Sequence, residues 1–187
     1  MFNLFRSPSE RAAADRAYLR VVEQARRPGF FAGLGVPDTL DGRFDLICLH
    51  AFLYLHRLKR ERPRAARLAQ SFFDAMFVDF DRSLRELGTG DLSVGRQVKR
   101  MAEAFYGRVQ AYEEGLAGAD PLLKQALSRN LFRREEGPEP VLSALALYVR
   151  REAARLAAQD TAELLAGRVV FDEPPSAVGA TLLKVPP

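Results

Sequence analysis

The chain has few of the residues from which disulfides and metal sites are built. Cys48 is its single cysteine, which excludes an internal disulfide, argues against a cysteine-based metal cluster and fits a reducing compartment. Its two histidines, His50 and His56, lie six residues apart, so on a helix their side chains point about 120° apart and do not readily share a metal ion. We expect hydrogen-bonded or surface histidines and no catalytic triad built on them.

The chain also lacks a long hydrophobic run. The best candidate, residues 46–58, is 13 residues long and contains both histidines and Arg57, so it is too short and too polar for a transmembrane helix. The first residues, MFNLFRSPSER, lack the basic region and apolar stretch of a secretory signal. Glu10, Asp15 and Glu23 are acidic residues that argue against a mitochondrial presequence. We therefore expect a bacterial protein on the cytoplasmic side.

The composition is that of an ordinary folded protein. Hydrophobic residues make up 48% and charged residues 28% of the 187 residues, which excludes collagen-like, disordered and disulfide-scaffold proteins. The 28 basic and 24 acidic side chains give a net charge of +4, which is too small to indicate nucleic-acid binding by itself. The distribution of charge must decide that question instead.

Apolar residues recur at helical spacing along most of the chain. With the capping residues, prolines and glycines, this pattern predicts six helices, at about 7–27, 43–62, 65–87, 93–116, 120–133 and 141–166. Asp41 is placed to cap the second helix. Residues 30–42 are predicted to form a loop whose Phe30 and Phe31 either anchor it to the core or offer an exposed contact to a partner, and we expect core anchoring.

These elements predict an all-α fold: a single compact, bundle-like domain of about six helices with an extended C-terminal tail. Within it, residues 1–34 form an N-terminal helix and loop, 35–167 the helical core, and 168–187 an extended, proline-containing tail. The sequence contains no convincing internal repeat and no shift in composition that would force a domain boundary, so one domain is expected.

The motifs that could suggest catalysis have simpler explanations. Asp79 and Asp81 point about 200° apart on a helix, and ion pairs with Arg82 and Arg85 explain them better than a shared metal does. The glycine-rich turn at residues 88–90 follows a helix and lacks the Gly-Lys-Ser/Thr ending of a phosphate-binding loop. Because no nucleophile is paired with a base, we predict a non-enzyme with no catalytic residue, no cofactor, no metal site and no small-molecule substrate.

Basic residues are concentrated around Pro63. Within eleven residues, only Glu61 opposes six basic side chains, which we call the basic cluster: Arg57, Lys59, Arg60, Arg62, Arg64 and Arg67. Two explanations of this cluster are equally good. It is either ordinary surface charge or a contact site for anionic lipid, RNA or an acidic protein. No exposed aromatic residues are interleaved with it, so recognition of bases is not indicated.

Two blocks of sequence match a known pattern. The first is GVPDTLDGRFD at residues 35–45, followed by residues 50–58. The second comprises FDAMF at 73–77, Asp79, DRSLRE at 81–86, Gly88, GD at 90–91, VG at 94–95 and VKRMAEAFYGR at 98–108. In order and spacing these blocks, which cover residues 35–108, resemble the ubiquinol-cytochrome c chaperone family in its alphaproteobacterial form.

The resemblance implies a non-enzymatic assembly factor for ubiquinol-cytochrome c reductase, respiratory complex III, with newly made cytochrome b as its client. It also implies work near the ribosome together with a small partner protein. With the basic cluster, it suggests a peripheral position on the cytoplasmic face of the inner membrane, in contact with anionic lipid. The family's recurring charged, glycine and tyrosine positions are candidates for a client or partner surface: Asp38, Asp41, Arg43, Asp45, Asp79, Asp81, Arg82, Gly90, Asp91, Lys99, Arg100, Tyr106 and Arg108. The alternative is that several of them only cap helices or pair with one another.

One alternative function stays open at this point. The chain could be an RNA- or ribosome-binding helical module that acts through the basic cluster, Arg57 to Arg67, and the fourth predicted helix. Contacts with phosphate groups would make its affinity fall steeply with ionic strength, whereas a hydrophobic contact with a client protein would depend less on salt.

Overall fold

The computed structural model describes residues 8–133 and 137–175. In these ranges the chain forms seven α-helices and no strand, which confirms the predicted all-α class. The helices are α1 (Pro8–Ala25), α2 (Leu40–Lys59), α3 (Ala66–Glu86), α4 (Asp91–Ala117), α5 (Asp120–Leu127), α6 (Glu139–Ala158) and α7 (Thr161–Leu165). Two π-helical turns accompany them: Gly29–Gly33 lies between α1 and α2, and Ser128–Phe132 continues α5.

Helix α2 runs through the centre of the bundle. Fourteen of its 20 residues are buried, as expected for a helix that is apolar on most sides. Helices α1, α3, α4 and α6 all pack against it. A single hydrophobic core includes residues from all seven helices. This arrangement fits one domain, while the predicted boundaries at residues 34 and 167 stay predictions.

The start of α2 differs from the prediction, because Thr39 and not Asp41 is its cap. The Thr39 Oγ1 accepts a hydrogen bond of 3.1 Å from the Gly42 N–H, which satisfies one of the free amides of the first turn. A Cβ atom at position 42 would lie 2.0 Å from the Pro37 carbonyl oxygen, so this tight cap requires glycine. Asp41 lies in the first turn, and its carboxylate pairs with Arg133.

The last predicted helix, residues 141–166, is in fact two helices, α6 and α7. The Asp160 carboxylate accepts a hydrogen bond of 3.0 Å from the Glu163 N–H and so caps a new helix, while Gln159 has extended backbone. Apolar residues at helical spacing lie on both sides of this break, which is why periodicity alone missed it.

Phe30 anchors the segment between α1 and α2, which is partly π-helical where the sequence predicted a loop. Its side chain is fully buried, and its ring lies 5.2 Å from the ring of His50 and 5.5 Å from that of Tyr148, measured between centroids. Phe31 is half-buried and packs against the same core. These contacts confirm the expected core anchoring.

The segment after α7 is non-helical, as predicted, but its described part, residues 168–175, is packed onto the bundle and is not loose. The Gln24 side chain donates a hydrogen bond of 2.6 Å to the Asp172 carbonyl oxygen. The Asp172 N–H in turn donates to the buried carboxylate of Glu152 at 3.1 Å. The rest of the predicted tail, residues 176–187, and residue 7, at which the first helix was predicted to begin, lie outside the described residues.

Candidate functional site

A groove of about 630 Å³ lies between α2, α3 and α4. Its floor and rim are largely apolar and consist of Leu40, Phe44, Ile47, Phe80, Leu84, Leu87, Met101 and Ala104. Leu40 and Leu87 stand at the rim with 58% and 62% of their surface exposed. A concave apolar surface with exposed leucines at its edge is typical of a binding site for apolar groups. We call it the α2–α4 groove.

The groove brings together five of the thirteen predicted surface residues, namely Asp41, Arg43, Asp79, Arg100 and Arg108. They come from three helices, so only the packing of these helices places them around one site. A sixth, Asp38, binds Arg43 at 2.7 Å beside the groove.

Asp45 is fully buried beneath the groove, so the prediction that it belongs to an accessible partner surface is wrong. Its carboxylate accepts hydrogen bonds from Arg108 Nη2 at 2.7 Å and from Arg133 Nε at 2.8 Å. Burial raises the pKa of the Asp45 carboxyl, and the hydrogen bonds from Arg133 and Arg108 oppose this shift. Arg133 also binds the Asp41 carboxylate at 2.6 Å. Asp45 therefore fixes the orientation of two arginines in the groove wall.

Arg108 connects this charged wall with the apolar floor. Its guanidinium carbon lies 5.3 Å from the centre of the Phe44 ring, the distance of a cation–π contact. Its Nη1 donates a hydrogen bond of 3.0 Å to the Ala104 carbonyl oxygen. With the bond to Asp45, these contacts leave the guanidinium little freedom to move.

Asp79 lies on the other side of the groove and already has two partners. Its carboxylate accepts hydrogen bonds from the Tyr18 hydroxyl at 2.8 Å and from Arg82 Nη2 at 2.9 Å. Burial and the adjacent Asp79 carboxylate raise the pKa of the Tyr18 phenol. The Tyr18 bond joins α1 to α3, whereas Arg82 pairs with Asp79 within α3. Asp79 therefore stabilises the helix packing beside the groove.

Three other predicted surface residues lie around the turn between α3 and α4. Asp81 binds Arg85 at 2.7 Å, and Asp91 also pairs with Arg85. Gly90 is the extended residue that precedes α4. The structure thus gives each of these positions a local role at the helix ends.

Lys99 and Tyr106 lie on α4 outside the groove. Lys99 is exposed and lies 4.0 Å from Glu103. Tyr106 is 59% exposed, and its ring stacks on that of Phe73 with 5.6 Å between centroids. With Arg62, Tyr106 lines a separate, smaller depression of about 210 Å³.

The basic cluster is not a uniform surface, because Arg57 is buried. Its Nε donates to the Leu156 carbonyl oxygen at 3.0 Å, its Nη2 to Thr161 Oγ1 at 2.9 Å and its Nη1 to Glu61 at 2.7 Å. Arg57 therefore joins α2 to α6 and α7. The prediction that it contacts lipid or RNA is wrong, since its side chain is only 7% exposed and its guanidinium is occupied by these three hydrogen bonds.

The remaining basic residues lie at the surface. Lys59 binds Glu113 at 2.9 Å. Four arginines are exposed around the turn between α2 and α3, and we call them the exposed arginine cluster: Arg60, Arg62, Arg64 and Arg67.

Both histidines have partners in the fold. His50 is buried, with Nδ1 2.8 Å from the Leu46 carbonyl oxygen and Nε2 2.9 Å from the Tyr148 hydroxyl. Burial lowers the pKa of His50 to about 4. His56 lies 3.1 Å from the Glu113 carboxylate. In residues 8–133 and 137–175, no group of three or more His, Cys, Asp or Glu side chains is placed to hold a metal ion.

Sequence reasoning missed several residues of the groove. Arg133 lies 88 positions after Asp45, and Arg26 follows α1, so no local pattern connects either of them with the site. Leu84 lies on the wide apolar stripe of α3, most of which is buried in the core, and Leu87 follows directly after that helix. The width of that stripe is the one available signal that part of it faces a groove instead.

None of the helices in the described part of the chain combines the length and hydropathy needed to span a lipid bilayer.

Residues 32–171 match the family model described as "Ubiquinol-cytochrome C chaperone". The ubiquinol-cytochrome-c reductase complex assembly factor 1 of Xenopus laevis is 30% identical over 160 residues, which cover 85% of this chain and 80% of that protein. The proteins of the same name from Mus musculus and Homo sapiens are each 28% identical over 153 residues. The chain spans about half the length of these two relatives, 52% and 51%.

The fold is also similar to the crystal structure of the Cbp3 homolog from Brucella abortus. The TM-score is 0.79 with 38% sequence identity, over 88% of this chain and 91% of that chain. The matching family model is that of a chaperone and the Xenopus laevis relative is an assembly factor, which confirms the prediction of a non-enzyme and gives no support to the RNA-binding alternative. The chain belongs to the ubiquinol-cytochrome c chaperone family.

Proposed function

We propose that this protein is an assembly chaperone for ubiquinol-cytochrome c reductase and that it binds newly made cytochrome b. The names of its relatives, which are assembly factors of that complex, support the first part. The α2–α4 groove carries the second part, because it joins an apolar floor to five of the residues at which the sequence resembles the family.

An apolar groove suits a chaperone of a membrane protein. A client that has not yet met its partner subunits exposes apolar side chains, and their transfer from water to an apolar surface is favourable by about 25 cal/mol for each Å² buried. The groove is built from three packed helices, and the ion pairs of Asp45 with Arg108 and Arg133 hold its wall in place. A rigid groove loses little conformational entropy when it binds.

The test is affinity purification of the tagged protein from membranes of its own cell, with cytochrome b quantified at low and high salt. We expect cytochrome b to be recovered at both. Leu87→Glu, which places a charge at the groove rim, should lower this recovery. Leu147→Glu is the matched control, because Leu147 is 68% exposed and lies on α6, away from the groove.

Two outcomes would contradict the proposal. Absence of cytochrome b from the wild-type purification at either salt concentration would remove the client. Equal recovery with the Leu87 and Leu147 variants would show that the client binds elsewhere on the protein.

A contact with the membrane surface is a further part of the proposal. The exposed arginine cluster lies next to the exposed ring of Tyr106, since Arg62 and Tyr106 line the same depression. Basic residues attract anionic headgroups, and tyrosine favours the membrane–water interface. We therefore place the protein peripherally on the cytoplasmic face of the inner membrane.

The ribosome and a small partner protein, both implied by the family resemblance, complete the proposed set of partners. The same purification tests them, because ribosomal proteins held by electrostatic contacts should be present at low salt and lost at high salt. Their absence at low salt would remove the ribosome from this set. A small protein recovered in constant ratio to the tagged chain would be the expected partner.

A further inference from the structure

The charged residues around the α2–α4 groove are strongly unequal in sign. Five arginines line it, against two aspartates. Three of the arginines are neutralised within the fold: Arg43 by Asp38, and Arg108 and Arg133 by Asp45 and Asp41. Ion pairs within the protein therefore compensate most of the charge of these three arginines.

The other two arginines, Arg26 and Arg100, differ from these three. Both are exposed, and neither forms an ion pair with a carboxylate in the part of the chain that the structure describes. Asp79, the second acidic residue of the groove, already binds Tyr18 and Arg82. The groove thus offers an apolar floor together with two arginine cations that have no carboxylate partner within residues 8–133 and 137–175.

We propose that the α2–α4 groove binds an apolar polypeptide segment that carries an aspartate or glutamate. This inference rests on the proposed function. The apolar side chains of this segment pack on Phe44, Leu84 and Met101, and its carboxylate pairs with Arg100, with Arg26 as a second cation. The floor is supplied by three helices and bordered by exposed leucines, as in grooves that accept one face of an amphipathic helix.

The chemistry of the guanidinium group selects a carboxylate. Its planar fork matches the two oxygens of a carboxylate and can bind them in a bidentate manner. A segment with a lysine or arginine at the same position would face Arg26 and Arg100 and would be rejected by like charge. The groove therefore distinguishes acidic from basic apolar segments in addition to binding apolar surface.

The experiment uses the full chain in its own cell, with a photo-crosslinking amino acid in place of the rim residue Leu40. Mass spectrometry then identifies the crosslinked segment. Arg100→Glu should lower the crosslink yield by about tenfold, which corresponds to about 1.4 kcal/mol. The matched control is Arg96→Glu, because Arg96 is exposed on the same helix outside the groove and the variant has the same net charge.

A compensating change completes the test. Replacing the acidic residue of the crosslinked segment by lysine should restore the crosslink in the Arg100→Glu protein and lower it in the wild type. Arg100→Gln, which removes the charge without reversing it, should give an intermediate yield. Circular dichroism of the purified variants shows whether each one is folded.

The outcomes separate this inference from the proposed function. A crosslinked segment without an acidic residue, a crosslink to lipid alone, or equal losses in the Arg100 and Arg96 variants would overturn the inference. Recovery of cytochrome b without any crosslink from position 40 would also overturn it and leave the proposed function in place. An acidic apolar segment of a protein other than cytochrome b, with the compensating change effective, would support the inference and remove cytochrome b as the client.

Discussion

Asp45 and Arg108 lie 63 residues apart in the chain and form an ion pair of 2.7 Å beneath the α2–α4 groove. The Asp45 side chain is fully buried, and that of Arg108 is 13% exposed. A charge in such a position is tolerated only with a partner and hydrogen bonds. The pair therefore fixes α4 against α2 and, through Arg133, the end of the segment that continues α5.

Asp45→Asn tests this arrangement. The substitution keeps the shape of the side chain but removes the charge, so Arg108 and Arg133 lose their shared counter-charge. We expect the free energy of unfolding to fall by about 3 kcal/mol, measured by urea denaturation. Asp38→Asn is the control, because that exposed carboxylate also binds an arginine but remains in water, and it should have little effect. Equal effects of the two substitutions would contradict a structural role for Asp45.

His50 should make stability depend on pH. Burial lowers its pKa to about 4, whereas in the unfolded chain it is about 6.5. Below about pH 6.5 the unfolded state binds a proton that the folded state does not, so stability falls as the pH is lowered from 6.5 to 4, by about 3 kcal/mol in total. Urea denaturation of the wild type and of His50→Gln across this range measures the difference.

The variant should lose this part of the pH dependence, while the part that comes from carboxylates remains. His56→Gln serves as the control, because His56 is only partly buried and lies beside a carboxylate. Identical pH profiles for wild type and His50→Gln would show that the buried imidazole does not cause the dependence.

Arg57 and Arg64 should behave in opposite ways although both belong to the basic cluster. Arg57→Ala removes hydrogen bonds to Leu156, Thr161 and Glu61 and leaves a buried carbonyl oxygen without its donor. We expect a loss of about 2 kcal/mol in the free energy of unfolding. Arg64→Ala, at an exposed position, should leave stability nearly unchanged. A larger effect at position 64 than at position 57 would contradict this assignment.

Binding to anionic vesicles should depend on the exposed arginine cluster. Replacing Arg60, Arg62, Arg64 and Arg67 by glutamine should weaken binding to vesicles that contain phosphatidylglycerol by about fivefold for each arginine. Sedimentation with these vesicles, and with vesicles of phosphatidylcholine alone, measures the effect. The control replaces four exposed arginines elsewhere, Arg11, Arg20, Arg96 and Arg129. If both variants lose the same affinity, net charge and not this cluster is responsible.

Two glycines with positive φ should differ in their tolerance of alanine. Gly167 has a φ of +78°, and a Cβ there would lie 2.0 Å from the Ala13 carbonyl oxygen, whereas Gly88 has a φ of +83° with open space around it. Gly88→Ala should lower the free energy of unfolding by about 1 kcal/mol, and Gly167→Ala by about 3 kcal/mol or more. Urea denaturation compares them, and similar losses would contradict the close packing of Gly167 on α1.

Local signals were enough for much of the fold. The apolar spacing of α3 and α4, the glycine that ends α3 and the proline that opens α5 are all short-range features. They placed α3, α4 and the start of α5 within a few residues of their observed bounds, whereas α5 itself ends at Leu127 and continues as a π-helical turn to Phe132. The break before α7 was missed, because a side chain that caps a helix at Asp160 looks in sequence like any exposed residue of a continuous helix.

The sequence by itself determined the all-α class, the order of the helices and the family. Helical periodicity, capping residues and the two motif blocks each depend only on residues that are close together in the chain. Only the tertiary structure decided that Asp45 and Arg57 are interior residues and that Arg133 meets Asp45. It also decided that Arg100 stands at an apolar groove without a carboxylate partner among the described residues. The reason is physical. Whether a charge is paired, buried or free depends on distances between helices. Here those distances are set by residues 63 to 104 positions apart in the chain.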